Sequence, residues 1–272
     1  MKSRLLRHPV IAFYGLLLLL TWPVMLVAGD STLTYVVVAV LGPSTCALIV
    51  TGVTGGRAAV LSLLKRLTIR RVPVWVWLYA VMGNGLLITA PAVIVVLLGQ
   101  PGGLDAHWEA WAVTLAVNLV LLLIVPGMVE EIGWRGFGLP LVQERSGPIV
   151  ASVVIGVLWA VWHYPLWIAQ NDGVTPALIW ATIGVVGASF AYTWLHNASF
   201  GSVLPAIVLH AGENAWRGNA LRLLTGDEHD HAFIAAQVAA AVIALVLVIA
   251  TRGRLGMVDR GSGDGRPRRL RP

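Results

Sequence analysis

The sequence predicts an all-α, polytopic membrane protein with eight transmembrane helices and both termini in the cytoplasm. Its composition is the first reason: 57% of residues are hydrophobic and 12% charged, with a mean hydropathy of +0.80. A soluble domain carries about a quarter charged residues, so the solvent of this chain is lipid. Apolar runs of about 20 residues, the length that crosses a bilayer as a helix, then recur eight times. Finally, Lys and Arg, which concentrate on the cytoplasmic side, alternate between the gaps. Only Arg217 and Arg222 fall in odd-numbered gaps, and the other 17 of the 19 basic residues do not.

The first run, Val10–Ala28, follows Lys2, Arg4 and Arg7. It is long for a signal-peptide core and reads as an uncleaved helix. Leu33–Val53 is the second and contains Cys46, the single cysteine. One cysteine excludes an intramolecular disulfide and any Cys-rich metal site; Cys46 reads as a small packed hydrophobe. Between runs two and three, Gly56–Val72 sets Arg57, Lys65, Arg66, Arg70 and Arg71 among leucines, the pattern of an amphipathic helix on anionic headgroups. Val74–Leu98 and Ala110–Met128 follow, the latter able to continue through Glu130 toward Leu141. Ile149–Ala169, Pro176–Leu195, Ser202–Leu221 and Ala232–Ala250 complete the set. The seventh is the least apolar because His210, Glu213 and Asn214 interrupt it.

The odd gaps, near Gly29–Thr32, Gly99–Glu109, Gln170–Thr175 and Trp216–His231, are read as external loops. Residues 1–251 form a single eight-helix domain, with a motif-bearing core at 110–216. Residues 252–272 form a basic, Gly- and Pro-rich tail with the composition of a disordered segment. The net charge of +6 is thus a topology signal, not a nucleic-acid footprint. No inverted repeat marks a transporter.

Three segments carry polar groups that are expensive in a bilayer. In PGMVEEIGWRGFGLP, Glu131 and Arg135 stand at i and i+4 and can pair on one face. Adjacent helical residues point about 100° apart, which leaves Glu130 facing elsewhere, a candidate general base. Pro126 disturbs the helix before it. In LWAVWHYP, Trp159 precedes His163 by four and can pack on its ring. In LHAGEN, His210 and Asn214 share a face and offer hydrogen-bond donors to one point, which suits an oxyanion. Glu213 can pair with Arg217. The run Asp227-Glu228-His229-Asp230-His231 reads as a solvated external loop rather than a metal site.

In this order and spacing, Glu130-Glu131-x-x-x-Arg135, Trp159-x-x-x-His163 and His210-x-x-x-Asn214 resemble the motifs of the CPBP family of intramembrane proteases, also called the CAAX protease and bacteriocin-processing or Abi family. The resemblance covers about Ala110–Trp216, with Trp159 where the family often has Phe. It implies an eight-helix fold with a cavity reached from the cytoplasm, in an integral protein of the cell membrane. It also implies roles: Glu130 and His163 activate water, His210 and Asn214 meet the oxyanion, and Glu131, Arg135 and Trp159 support them. Metal dependence stays open. Glu130, His163 and His210 could hold a zinc ion with an open position, yet no HExxH stands in the sequence.

The expected function is therefore an intramembrane endopeptidase acting on a membrane-associated or prenylated, CAAX-type, protein or peptide. Its partners are membrane lipid and that substrate. Two other readings differ in class: a non-catalytic protein for bacteriocin immunity or export, and a proton-coupled transporter using Glu130 and His163 as a relay.

Overall fold

A computed structural model describes residues 8–69, 71–83, 85, 90, 94, 108–221 and 226–257. The basic N-terminus, most of the third apolar run beyond Gly83, and the tail from residue 258 lie outside the described residues. All regular structure among the described residues is helical. In order, the helices are α1 Pro9–Ala28, α2 Thr32–Leu41, α3 Pro43–Lys65, α4 Val74–Leu78, α5 Trp108–Leu122, α6 Val129–Glu131, α7 Leu139–Gln170, α8 Pro176–Ala198, α9 Leu204–Leu221 and α10 Gly226–Ala250. Wider π-helical turns extend α4 over Tyr79–Gly83 and flank α6 on both sides, over Leu123–Met128 and Ile132–Gly138.

Five helical stretches among the described residues are long and apolar enough to cross a membrane: Pro9–Ala28, Thr32–Lys65, Val113–Gln170, Pro176–Ala198 and Asp230–Ala250. The third holds 58 residues. As one straight helix it would reach roughly 87 Å, nearly three hydrocarbon thicknesses. It is broken instead. Val125, next to Pro126, is extended at φ −129° and ψ 115°, the conformation a following proline imposes. Gly147 turns the chain at φ 78° and ψ 172°, where a side chain would be strained. Large apolar side chains stand fully out from the bundle, Val27 at 90% exposure and Ile11 and Leu19 at 70%. In water that surface would be a liability; in lipid it is the expected outer face.

The second predicted run is two helices, because Gly42 takes a non-helical ψ of −166° between α2 and α3. Backbone carbonyls freed at such breaks need partners in a bilayer, and nearby side chains supply them. Thr45 Oγ1 donates to the Val40 carbonyl at 2.7 Å and Cys46 Sγ to that of Leu41 at 3.2 Å. Ser44 Oγ reaches the Met128 carbonyl at 2.9 Å beside the Glu pair. Cys46 is fully buried.

The expected amphipathic helix after Gly56 continues α3 beyond a kink at Gly56 and stops at Lys65, short of Val72. The expected loop Trp216–His231 is corrected more substantially. Helix α9 runs on to Leu221 and α10 starts at Gly226, so the Asp227–His231 run lies in the first turns of a helix. Acidic residues suit the first turn of a helix, so the Asp and Glu that suggested a loop fit a helix start equally well. Residues 252–257 are not disordered: Leu255 is fully buried and its carbonyl accepts from Asn197 Nδ2 at 2.8 Å.

The bundle places its polar residues through two sets of contacts. Helix α8 packs along both α7 and α10, and α9 packs against α5 and the turn Leu123–Met128. The π-helical turn Ile132–Gly138 lies against α3, so close at Gly133 that an added Cβ would sit 2.5 Å from the Pro43 carbonyl. These contacts bring α6, the middle of α7 and the middle of α9 to one place.

Candidate active site

Helix α6 is three residues long and holds both carboxylates between two π-helical turns, a device common at functional sites. Both are buried, with Glu130 at 3% and Glu131 at 0% exposure. Glu131 Oε1 accepts from Arg135 Nη1 at 2.7 Å and from His210 Nδ1 at 2.8 Å. The Arg135 guanidinium is fully buried and lies between two rings, 4.2 Å from Trp159 and 3.8 Å from Tyr192. Its Nε and Nη2 have no hydrogen-bond partner among the described residues. Cation–π attraction to both rings is what compensates there. Glu130 points the other way. Its Oε2 accepts from Trp159 Nε1 at 2.8 Å.

The two histidines are each fixed by one ring nitrogen. His163 Nδ1 stands 2.9 Å from the Trp159 carbonyl. A carbonyl only accepts, so Nδ1 carries the proton and Nε2 keeps its lone pair in the neutral ring. Trp167 stacks on His163 at 5.1 Å and 11°, and Trp162 meets it edge-on at 4.6 Å. His210 Nδ1 faces a carboxylate and is likewise the protonated nitrogen. Trp159 and Tyr192 both pack edge-on against its ring. Asn214 is oriented by the same logic. Arg217 Nη2 lies 3.1 Å from Asn214 Oδ1, and a guanidinium can only donate, so the amide's NH2 is its opposite branch.

Glu130, His163, His210 and Asn214 all line one cavity of about 380 Å³. Trp159, Glu213 and Arg217 line it too, whereas Glu131 and Arg135 stand behind the wall. The apolar part of the lining includes Met25, Val38, Leu122, Leu166, Val185 and Ala188. The lining also reaches Thr34, Tyr35 and Gln170, at the ends of α2 and α7 that meet the loops poor in basic residues. No three His, Cys, Asp or Glu side chains among the described residues come together as a metal site. Glu130, His163 and His210, the zinc set the sequence offers, share a wall but as placed do not fit a bound ion.

Three contributors escaped the sequence reading. Trp167 stands at i+4 from His163, so the spacing that pointed to Trp159 would have found it. Tyr192 donates its hydroxyl to Glu213 Oε2 at 2.8 Å, and no spacing within one helix signals that contact. The bond from Glu131 to His210 joins residues 79 apart. Glu213 was expected to pair with Arg217; the contact seen for Arg217 is to Asn214.

Comparison with known proteins covers the same segment of the chain. Residues 111–216 match the family model described as type II CAAX prenyl endopeptidase, Rce1-like, and hold all seven expected site residues. A CAAX prenyl protease 2 from Methanococcus maripaludis is 28% identical over 101 residues. That alignment covers 35% of this chain and 37% of the relative, so the chain matches little more than a third of the curated protein. Over residues 111–216 the chain is thus similar to the Rce1-like CAAX prenyl endopeptidases.

Proposed function

We propose that this protein is an intramembrane endopeptidase that hydrolyses a peptide bond in a prenylated, CAAX-type protein or peptide. One observation carries the reading. A single cavity is lined by the Glu130 carboxylate, two imidazoles and the Asn214 carboxamide, while the neighbouring Glu131 is committed to Arg135 and His210. The family match supports the same class of activity.

In the proposed reaction a water stands between Glu130 Oε1 and His163 Nε2, since the partner atom of each group is already held by Trp159. Glu130 takes a proton from it as the water oxygen bonds to the carbonyl carbon. The carbonyl π electrons move to oxygen, where Asn214 Nδ2 and His210 Nε2 donate. With Nδ1–H on Glu131, His210 donates from Nε2 only as an imidazolium, so the ring enters the step already carrying a second proton taken from solvent, beside the Glu131 carboxylate that offsets its charge. Collapse breaks the C–N bond, and the leaving nitrogen takes the proton that Glu130 received. The apolar lining would hold the lipid chain, where each buried CH₂ contributes about 0.8 kcal/mol.

The protein is proposed to act in the cell membrane. Access from the cytoplasm is supported by the family resemblance alone, because the cavity lining extends toward the loops poor in basic residues. The test of the function is mass spectrometry of a farnesylated peptide ending in a CAAX-type sequence, incubated with the purified protein in proteoliposomes. A product cut at one bond supports the reading; an intact peptide under conditions where the protein stays folded overturns it.

A further inference from the structure

Arg217 is a cation of the cavity that the proposed reaction leaves unused. It is the one Lys or Arg among the described residues lining that cavity, where Glu130 and Glu213 are the carboxylates. Glu213 accepts from Tyr192, and one Arg217 nitrogen holds Asn214 Oδ1 at 3.1 Å. A guanidinium carries five N–H donors in a planar fork shaped for carboxylates.

Position adds a ruler. His210, Asn214 and Arg217 follow one another at i, i+4 and i+7 along one stripe of α9. At 1.5 Å per residue, Arg217 lies about 4–5 Å beyond Asn214 and about 10 Å beyond His210 along the axis. An extended peptide covers roughly 3.3–3.6 Å per residue. Along the helix axis, Arg217 therefore stands about one to three extended residues beyond the Asn214 and His210 positions proposed to hold the scissile carbonyl.

We propose that Arg217 is a specificity-determining residue that binds the free C-terminal carboxylate of the substrate and so restricts cleavage to a bond near the chain end. This rests on the peptidase reading above. A CAAX-type chain carries such a carboxylate three residues past its lipidated cysteine. Without a cation, a bare carboxylate would meet Glu130 and Glu213 in a cavity of low dielectric, which opposes its entry.

The experiment compares the wild type with Arg217→Gln and Arg217→Lys on one prenylated peptide prepared as the free acid, as the C-terminal amide, and as an acid with three further residues. The expected wild-type kcat/KM favours the short acid over the amide by roughly ten- to a hundredfold, the usual worth of a hydrogen bond to a charged group. It should disfavour the extended acid as well. Arg217→Gln should bring the acid-to-amide ratio near one. Arg217→Lys keeps the charge without the fork and should retain part of the preference, which also covers a Gln variant that fails to fold. A ratio unchanged in both variants, or a uniform fall on both peptides, would restrict Arg217 to holding Asn214 and overturn the proposal. Equal wild-type rates on acid and amide overturn this assignment alone. No wild-type cleavage of any peptide removes the peptidase reading and this inference with it.

Discussion

Glu131 is the residue on which the site's supports meet. One of its oxygens, Oε1, takes both Arg135 and His210, and its other oxygen has no hydrogen-bond partner among the described residues. Glu131→Gln removes the charge opposite a fully buried guanidinium. Breaking a buried pair from one side costs about 3–5 kcal/mol, so this variant should show a clearly lower melting temperature as well as reduced cleavage. Asn214→Ala should behave differently. It deletes one proposed oxyanion donor and should lower kcat by roughly 10²–10³-fold, with a melting temperature within a few degrees of wild type. Thermal melts and kcat measured on the same detergent preparations separate the two. An Asn214→Ala enzyme that cuts at the wild-type rate would exclude that donor role.

At the scale of elements, the Glu pair is positioned by irregular helix held against α3. Gly133 makes that approach possible, because a Cβ there would lie 2.5 Å from the Pro43 backbone carbon and oxygen. Backbone cannot yield as the end of a flexible side chain can. Gly133→Ala should therefore displace the turn Ile132–Gly138 and destabilise the protein by about 1–3 kcal/mol, the range of overpacking. Activity should fall with it, since Glu131 and Arg135 flank the displaced residue. The check is a denaturation curve together with turnover; a variant that matches wild type in both would remove Gly133 from this role. Such contacts mark the limit of what the sequence disclosed. Spacing within one helix showed Glu131 with Arg135, Trp159 with His163, and His210 with Asn214 on a shared face, and Pro126 announced the break before the Glu pair. Which helix faces which is not encoded in any one helix's period. The bonds from Trp159 to Glu130 and from Tyr192 to Glu213 are contacts of that kind. The π-helical turns were equally invisible, because no pattern of residue types within one helix marks them.

For the whole molecule, hydropathy placed most helices within a few residues, because a lipid solvent leaves no other way to satisfy the backbone. It failed where charge at a helix end imitated a loop, as at Asp227–His231. The eight-span arrangement with both termini inside remains a proposal carried by the distribution of Lys and Arg. Reporter fusions at Gly102 and Asp172 should read outside and one at Gly263 inside; the opposite reading at any of the three rejects that topology. The central claim, that Glu130 is the base of a membrane-embedded hydrolase, is tested most directly by one variant. Glu130→Gln keeps the volume of the side chain and a carbonyl oxygen to accept from Trp159 Nε1, and removes only the base. Turnover of a farnesylated CAAX-type peptide by purified wild type and Glu130→Gln should differ by roughly 10²–10⁴-fold, the usual contribution of general-base catalysis, at equal melting temperature. Cleavage by Glu130→Gln at the wild-type rate, or a loss of activity that merely tracks unfolding, would contradict it.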